Sequence, residues 1–471
     1  MRITILSLAL VCFSLFAEKY TEKPAKEYEV HLSTQESLFS LDLSDLTKKA
    51  ATFKESYLEQ LREVLKFNLE QAGYFSLLLP AKKADKNRAK AAFVINPIIE
   101  KNEFYLEFWP SYKRVNYKQV KIKKTSRRVK LKGLLSYDRR QIHALTNDFL
   151  RRSIRKQGIF ENRILYSVRI EKSLGQWLSE IWICDWDGAN AHQVTFENSY
   201  CVHPLFLSKN HFLYVSYRSG FPKIYISSLD LNQANDANNA KAKKGNKAKA
   251  INKTNSQPLI SLRGNQLLPA LSRNKRQLTF ISDAAGRPDL FMQPLNISFQ
   301  TENKPLQLFS FPRATQASSS FSPDGSKLAF VSDKDGTPRI YWINLSENKY
   351  KNKHNTTQGR KRPEAHLLTV KNRGNVSPSW SLDGKKITYS AKTNGIRQIW
   401  LYDFETKEER QLTFDRKNKE NPDFAFDNLH IVYNTEDTAE AELYIINTNN
   451  PSSVKIGKGM GRKRFPAFEQ D

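Results

Sequence analysis

Apolar and polar residues alternate in five short runs: FLYVS (212–216), LTFIS (278–282), LAFVS (328–332), ITYS (387–390) and IVYN (431–434). Alternation with period two places successive side chains on opposite faces of an extended chain, so each run predicts a strand. Ahead of these runs stand the anchors Phe206, Leu271, Phe321, Trp380 and Phe424, and a further anchor, Phe468, lies near the C-terminus. Two positions before the anchors stand Pro204, Pro269, Ser319, Pro378, Pro422 and Pro466. The anchors recur at intervals of 65, 50, 59, 44 and 44 residues. The longer intervals carry polar insertions, including residues 232–257 and 347–364.

Each unit repeats four parts. A short strand ends in the Pro-x-aromatic element and leads into a turn, SPDG at 322–325 and SLDG at 381–384. Pro presets φ and Gly accepts a positive φ, which suits a hairpin corner. The alternating strand follows. A third strand carries Ile181-Trp182, Ile224-Tyr225, Leu290-Phe291, Ile340-Tyr341, Ile399-Trp400 or Leu443-Tyr444, and a fourth ends in elements such as QVT (193–195), LLT (367–369) and QLT (411–413). Four antiparallel strands in roughly 40–50 residues form a propeller blade. Third strands count to six. The first unit, from NRILYS (162–167), lacks an innermost strand, while KRFPAFEQ (463–470) is an innermost strand without a blade. Joining the ends closes the ring without a free sheet edge. The innermost strands are expected to be short, crowded at the axis.

Residues 28–155 have a different texture. Tyr57, Leu58, Leu61, Val64, Leu65 and Leu69 fall at helical spacing, with Gly73 as the stop. AAFVINPIIE, NEFYLEFWP and KRVNYKQVKI predict strands, and YDRRQIHALTNDFLRRSIRKQ predicts a second helix stopped by Gly158. The expected fold is therefore mixed: an N-terminal α/β domain followed by an all-β six-bladed β-propeller closed by the C-terminal strand. Met1–Ala17 has one Arg, an apolar run from Ile3 to Phe16 and then polar residues, the pattern of a signal peptide for export. Leu15 is a poor residue three before a cut after Ala17, so the cleavage site stays open. The expected organisation is signal peptide 1–17, flexible segment 18–29, α/β domain 30–158 and propeller 159–471.

Beyond the apolar leader only Cys184 and Cys201 remain. They offer one bridge in an oxidising compartment or two buried small hydrophobes on neighbouring strands, the plainer reading. The net charge of +27 allows nucleic acid, anionic lipid or simply a solvated basic surface as its meaning. Residues 113–132 carry ten Lys/Arg in twenty, without the aromatic pattern of an RNA-binding motif. No Gly-x-Ser-x-Gly elbow and no His-Glu-x-x-His pair occur. DWDG (185–188) and DKDG (333–336) lack the further carboxylates of a calcium loop and read as turns. No cofactor and no catalytic residue is expected; a metal ion in the axial tunnel is left open.

The helix ending LEQAGYF (69–75), the segment QIHALTNDFLRRSIRKQGIFENRILYS (141–167), the domain order and the closing strand together resemble the TolB family. LSKN (207–210) and SRNK (272–275) replace SPDG, Ser319 replaces the blade Pro, and the Lys/Asn-rich insertion is foreign to the pattern. The resemblance implies a non-enzymatic periplasmic adaptor of the Tol–Pal envelope system, acting in envelope integrity and outer-membrane constriction at division. It implies two partners. The peptidoglycan-associated lipoprotein Pal would meet the loops before the innermost strands: Tyr200, Val202 and His203; Gly264, Asn265 and Gln266; Ala314, Thr315 and Gln316; Asn375 and Ser377; Asn418 and Asn421. TolA would meet Glu18–Glu29, beginning with Glu18, Lys19, Tyr20, Thr21 and Glu22. The rival readings are a propeller binding anionic envelope surfaces or nucleic acid through its basic stretches, and one related to accessory domains of serine peptidases.

Overall fold

In a computed structural model, the described residues are 38–78, 92–110, 114–115, 118–119, 124–173, 175–229, 256–311, 313–345, 363–437 and 440–470. The leader, the 18–29 segment and nearly all of both insertions lie outside them. The described residues of the C-terminal part form six four-stranded antiparallel sheets, each pairing its strands in chain order. In the first, the innermost place is taken by Arg462–Phe468, which pairs antiparallel with Arg163–Ser173. The ring is closed by the chain end, as the surplus strand requires. Arg163 fastens it, meeting Glu469 through Nε (2.9 Å) and Nη2 (2.7 Å).

The innermost strands run to 5–8 residues, longer than the Pro-x-aromatic element alone. What limits crowding at the axis is a bulge. In each blade the pairing register shifts beside the blade Pro or Ser319. His203, Leu268, Ser377, Asn421 and Phe465, each directly before a blade Pro, have φ between +51° and +53°. Pro denies its predecessor the right-handed helical region, so a bend there is made left-handed. Ser318, followed by Ser319, is released from that restriction and does not adopt a left-handed φ. The threonines ending the fourth strands also have a repeated task. Thr195, Thr369 and Thr413 are buried and accept the backbone N–H of Ile181, Ile340 and Ile399 at 2.8, 3.2 and 2.9 Å.

The N-terminal part is a mixed sheet carrying two helices, α1 (Glu55–Gln71) and α2 (Leu135–Ser153). Leu58, Leu61, Val64, Leu65 and Leu69 are buried, as their spacing predicts, and Gly73 follows α1 with φ +74°. Two expectations are corrected. The described residues of KRVNYKQVKI form a two-rung hairpin, Arg114–Val115 with Lys118–Gln119, rather than one strand. α2 stops at Ser153, with Arg155 left-handed at φ +58°, so Gly158 is not its stop. Gly158 is instead a packing glycine, where a Cβ would lie 2.4 Å from Asn147 Oδ1 and 2.7 Å from Leu150.

Both parts belong to one compact unit, Ser37–Asp471. Their shared core is centred on the fully buried Trp186, whose ring lies 4.9 Å from Phe160, 5.3 Å from Phe67 and 6.1 Å from His143. DWDG is indeed a turn, and a docking platform as well. Asp187 pairs with Arg139 of α2, and Asp185 with Arg140 at 3.1 Å. Gly188 approaches the Ile456 carbonyl so closely that a Cβ would overlap it at 1.8 Å. His430 closes the other side, its Nδ1 2.5 Å from Asp427 and its Nε2 2.6 Å from the Gln71 carbonyl at the end of α1.

Candidate partner-binding face of the propeller

Antiparallel order sends the turns between strands one and two, and between three and four, to one end of the ring. The other turns go to the opposite end. The α/β part occupies the first end, through residues 185–190, 427–430 and 447–449. The loops before the innermost strands open at the second end, the mouth, where the lipoprotein-facing residues were expected.

The structure divides those thirteen residues by burial. Val202, Gln266, Ala314, Gln316 and Asn375 are buried and work as pegs beneath the loops. Gln266 accepts the Ile224 N–H and donates to the carbonyls of Ile260 and Leu262, while Asn375 donates to Thr369. Asn265 and Thr315 are each held by an Asp on the neighbouring turn of their own blade. Asp283 takes the Asn265 backbone and amide at 2.7 and 2.6 Å, and Asp333 takes the Thr315 backbone and hydroxyl at 2.7 Å each. Asp283 also sits 2.3 Å from where a Cβ on Gly264 would stand, which keeps that position glycine. Tyr200 packs edge-on against Tyr217, and Asn418 is exposed, receiving the Arg397 N–H.

His203, Ser377 and Asn421 line the axial funnel itself. With Leu268, Ser318 and Phe465 they make one ring; Leu205, Ala270, Ser320, Ser379, Asp423 and Ala467 make a second below it, around a cavity of about 240 Å³. The funnel is two-sided. Blades four to six present Ser, Ser and Asn, then Ser, Ser and Asp; the other three present Phe, His and Leu, then Ala, Leu and Ala. On the polar side each lower residue accepts the N–H of the next blade's anchor: Ser320 from Trp380 (3.1 Å), Ser379 from Phe424 (3.1 Å), Asp423 from Phe468 (2.8 Å). Burial pushes Asp423 up to about 6, against the opposing pull of those bonds. On the apolar side His203 stacks on Phe465 at 3.9 Å, and burial pushes its imidazole down to about 3, so it is neutral.

Sequence reasoning missed Leu268, Ser318 and Phe465. The signal was available: each precedes the blade Pro or its substitute. It also missed the exposed apolar residues of the mouth. Of eight large hydrophobics exposed on the described propeller, six stand at the mouth: Phe221, Val370, Phe414 and Met460 on its loops, and Ile170 and Trp177 on the two strands of the hairpin that ends there. Met460 is 93% exposed.

The remaining polar clusters are structural. His143, Asp185 and Asp187 offer ligand atoms within 4.8 Å of one another, but Arg139 and Arg140 already neutralise the carboxylates. Cys184 and Cys201 are both buried and free, on strands of adjacent blades.

A relative in Protochlamydia amoebophila, described as a protein TolB homolog, is 39% identical over 439 residues, covering 88% of this chain and 86% of the relative. The chain belongs to the TolB family. Residues 247–470 match the family model for the TolB beta propeller domain. A TolB homolog of Chlamydia pneumoniae is 30% identical across 71% of this chain and 70% of its own length. The fold is that of the TolB crystal structure from Acinetobacter baumannii, at a TM-score of 0.65 and 18% identity, over 93% of this chain and 98% of that one.

Proposed function

We propose that this chain is the non-enzymatic propeller component of a Tol–Pal system, exported to the periplasm, where it links a peptidoglycan-associated lipoprotein to TolA. The lipoprotein would dock on the mouth. TolA would take the segment Glu18–Glu29, whose polar composition suits a segment that orders on binding. The observation that carries the reading is the mouth. Six exposed apolar side chains, Ile170, Trp177, Phe221, Val370, Phe414 and Met460, stand at the end of the propeller where the funnel opens, which supports reading that end as a contact surface for a protein. Family membership supplies the system. Among the described residues no helix is long and apolar enough to cross a membrane.

The test is a pull-down from envelope extract with residues 18–29 present or deleted. Recovery of a peptidoglycan-binding lipoprotein by both forms, and of a TolA-like protein by the full form alone, is expected. Recovery of neither, with lipid or nucleic acid in their place, would replace this reading by that of an anionic-surface binder.

A further inference from the structure

Arg169 stands at the mouth, next to the hairpin that carries Ile170 and Trp177, and its surroundings are unusual for a cation. Directly across the ladder its partner is Arg462 of the closing strand. Like charges facing one another across a strand pair repel. Arg464 is close as well, and Arg462 and Arg464 both pair with Glu436. Among the described residues no carboxylate pairs with Arg169. Its Nε is buried without a hydrogen bond, and its guanidinium rests on the Trp177 ring at 4.0 Å. Burial, reinforced by the Arg464 and Arg462 charges, pushes its pKa down, opposed by Tyr200 and Glu436. So placed, Arg169 faces a like charge across the ladder with no carboxylate to offset it. A carboxylate brought by a partner would relieve the repulsion and complete the hydrogen bonds in one step.

We propose that Arg169, backed by Arg462 and Arg464 and stacked on Trp177, is a receptor for a carboxylate side chain of the partner protein that docks on the mouth. Apolar side chains flanking that carboxylate would settle on Trp177, Ile170 and Met460. Gly461, at φ +87°, brings the backbone beside Met460 close to this strand, where a Cβ at position 461 would lie 2.6 Å from Val168 and 3.0 Å from Ile170. The site therefore selects an acidic segment with apolar neighbours. This rests on the reading of the mouth as the lipoprotein-binding face.

The experiment measures binding of the purified mature chain to the soluble domain of the peptidoglycan-associated lipoprotein encoded in the same genome. Four variants are compared: R169A, R169K, R169E, and a triple variant F221D/V370D/F414D that alters the mouth away from Arg169. R169A is expected to weaken binding about 10- to 100-fold and to flatten its salt dependence, with R169K less affected and R169E most. Replacing the contacting acid on the lipoprotein by Lys should restore R169E. The melting temperature of R169A should equal or exceed that of the parent chain, since the change removes a repelled charge; a structural arginine would lower it. If R169A and R169E bind within twofold of the parent while the triple variant fails, the carboxylate receptor is overturned and the mouth reading stands. If no variant alters binding, or the parent chain does not bind, the mouth reading falls and the receptor with it.

Discussion

The two ends of the propeller treat charge and apolar surface in opposite ways. At the end under the α/β part, Trp186 is fully covered, Asp185 and Asp187 have their arginines, and His430 has an acceptor for each ring nitrogen. At the mouth, six large apolar side chains face water and Arg169 lies against Arg462 without a carboxylate of its own. The repeat that builds both ends is the same. The difference lies in which end the chain itself completes. A surface that is finished internally is a joint; the one left unfinished is where a partner is proposed to dock. Four substitutions or titrations break or sharpen this contrast.

The largest effect belongs to the joint. Trp186→Ala empties the centre of the shared core among Phe67, Phe160 and His143. The expected cost is about 3–5 kcal/mol, read by chemical denaturation. Binding at the mouth, measured well below the melt, should stay within twofold. A joint that could lose Trp186 for under about 1 kcal/mol would not be a core.

The second prediction lies on the axis between the ends. Asp423 is raised in the folded chain from 3.8 to about 6. A carboxyl that binds its proton more tightly when folded contributes stability below its unfolded value and loses it as pH rises through the folded value. Stability should thus fall between about pH 4 and pH 6, by on the order of 2 kcal/mol from this group. Comparing Asp423→Asn with the parent isolates it: the difference between the two should change across that window. A constant difference would show that Asp423 ionises as freely as an exposed acid.

The third is smaller and returns to the joint. Nδ1 of His430 faces Asp427, and Nε2 faces the Gln71 carbonyl at 2.6 Å, closer than the Asn447 amide at 3.2 Å, an arrangement that favours the imidazolium. Burial opposes that charge, but Asp427 and the Gln71 bond prevail and raise the pKa above 6.5. The cation also sits at the C-terminal end of α1, where the helix dipole favours it. A raised histidine stabilises fully below its unfolded value, about 6.5, and stops doing so as pH climbs through the folded one. Melting temperature should therefore decline from pH 6 towards pH 9, and the decline should shrink in His430→Asn. An equal slope in both chains would detach the joint from this histidine.

Much of the fold was legible because repetition averages out local noise. The anchors, the Pro two before them and the surplus C-terminal strand sufficed for six blades and their closure. Helix spacing gave α1 to within a turn. The partner face was harder to read, for a physical reason: polarity in a loop does not separate a peg from a contact. Gln266 and Asn375 are polar, stand at the mouth ends of innermost strands and look like surface, yet both are buried and hydrogen-bond backbone groups, Gln266 the Ile224 N–H and Asn375 the Asn372 carbonyl. The same ambiguity hid Arg169, one basic residue among many until the ladder set Arg462 opposite it. DWDG was read as a turn, but its role as the seat of α2 depends on Arg139 and Arg140, which lie 45 or more residues away in sequence.

The smallest stability effect tests the mouth most directly. Phe221 is 63% exposed and Met460 93%, so replacing either by Ser removes little buried area. Each change should alter stability by no more than about 0.5 kcal/mol, the range for surface substitutions that touch no special feature. If these side chains are a contact surface, the same changes should weaken partner binding while the unfolding curve stays in place. The comparison is made on one preparation, by denaturation and by binding. A loss of stability above about 1 kcal/mol would mean that the two residues pack on their own chain in solution. The mouth would then be a second finished surface, and the contrast between the two ends would fail. Unchanged stability with weakened binding would fix it, since nothing on the folded chain itself would then account for keeping Phe221 and Met460 in water.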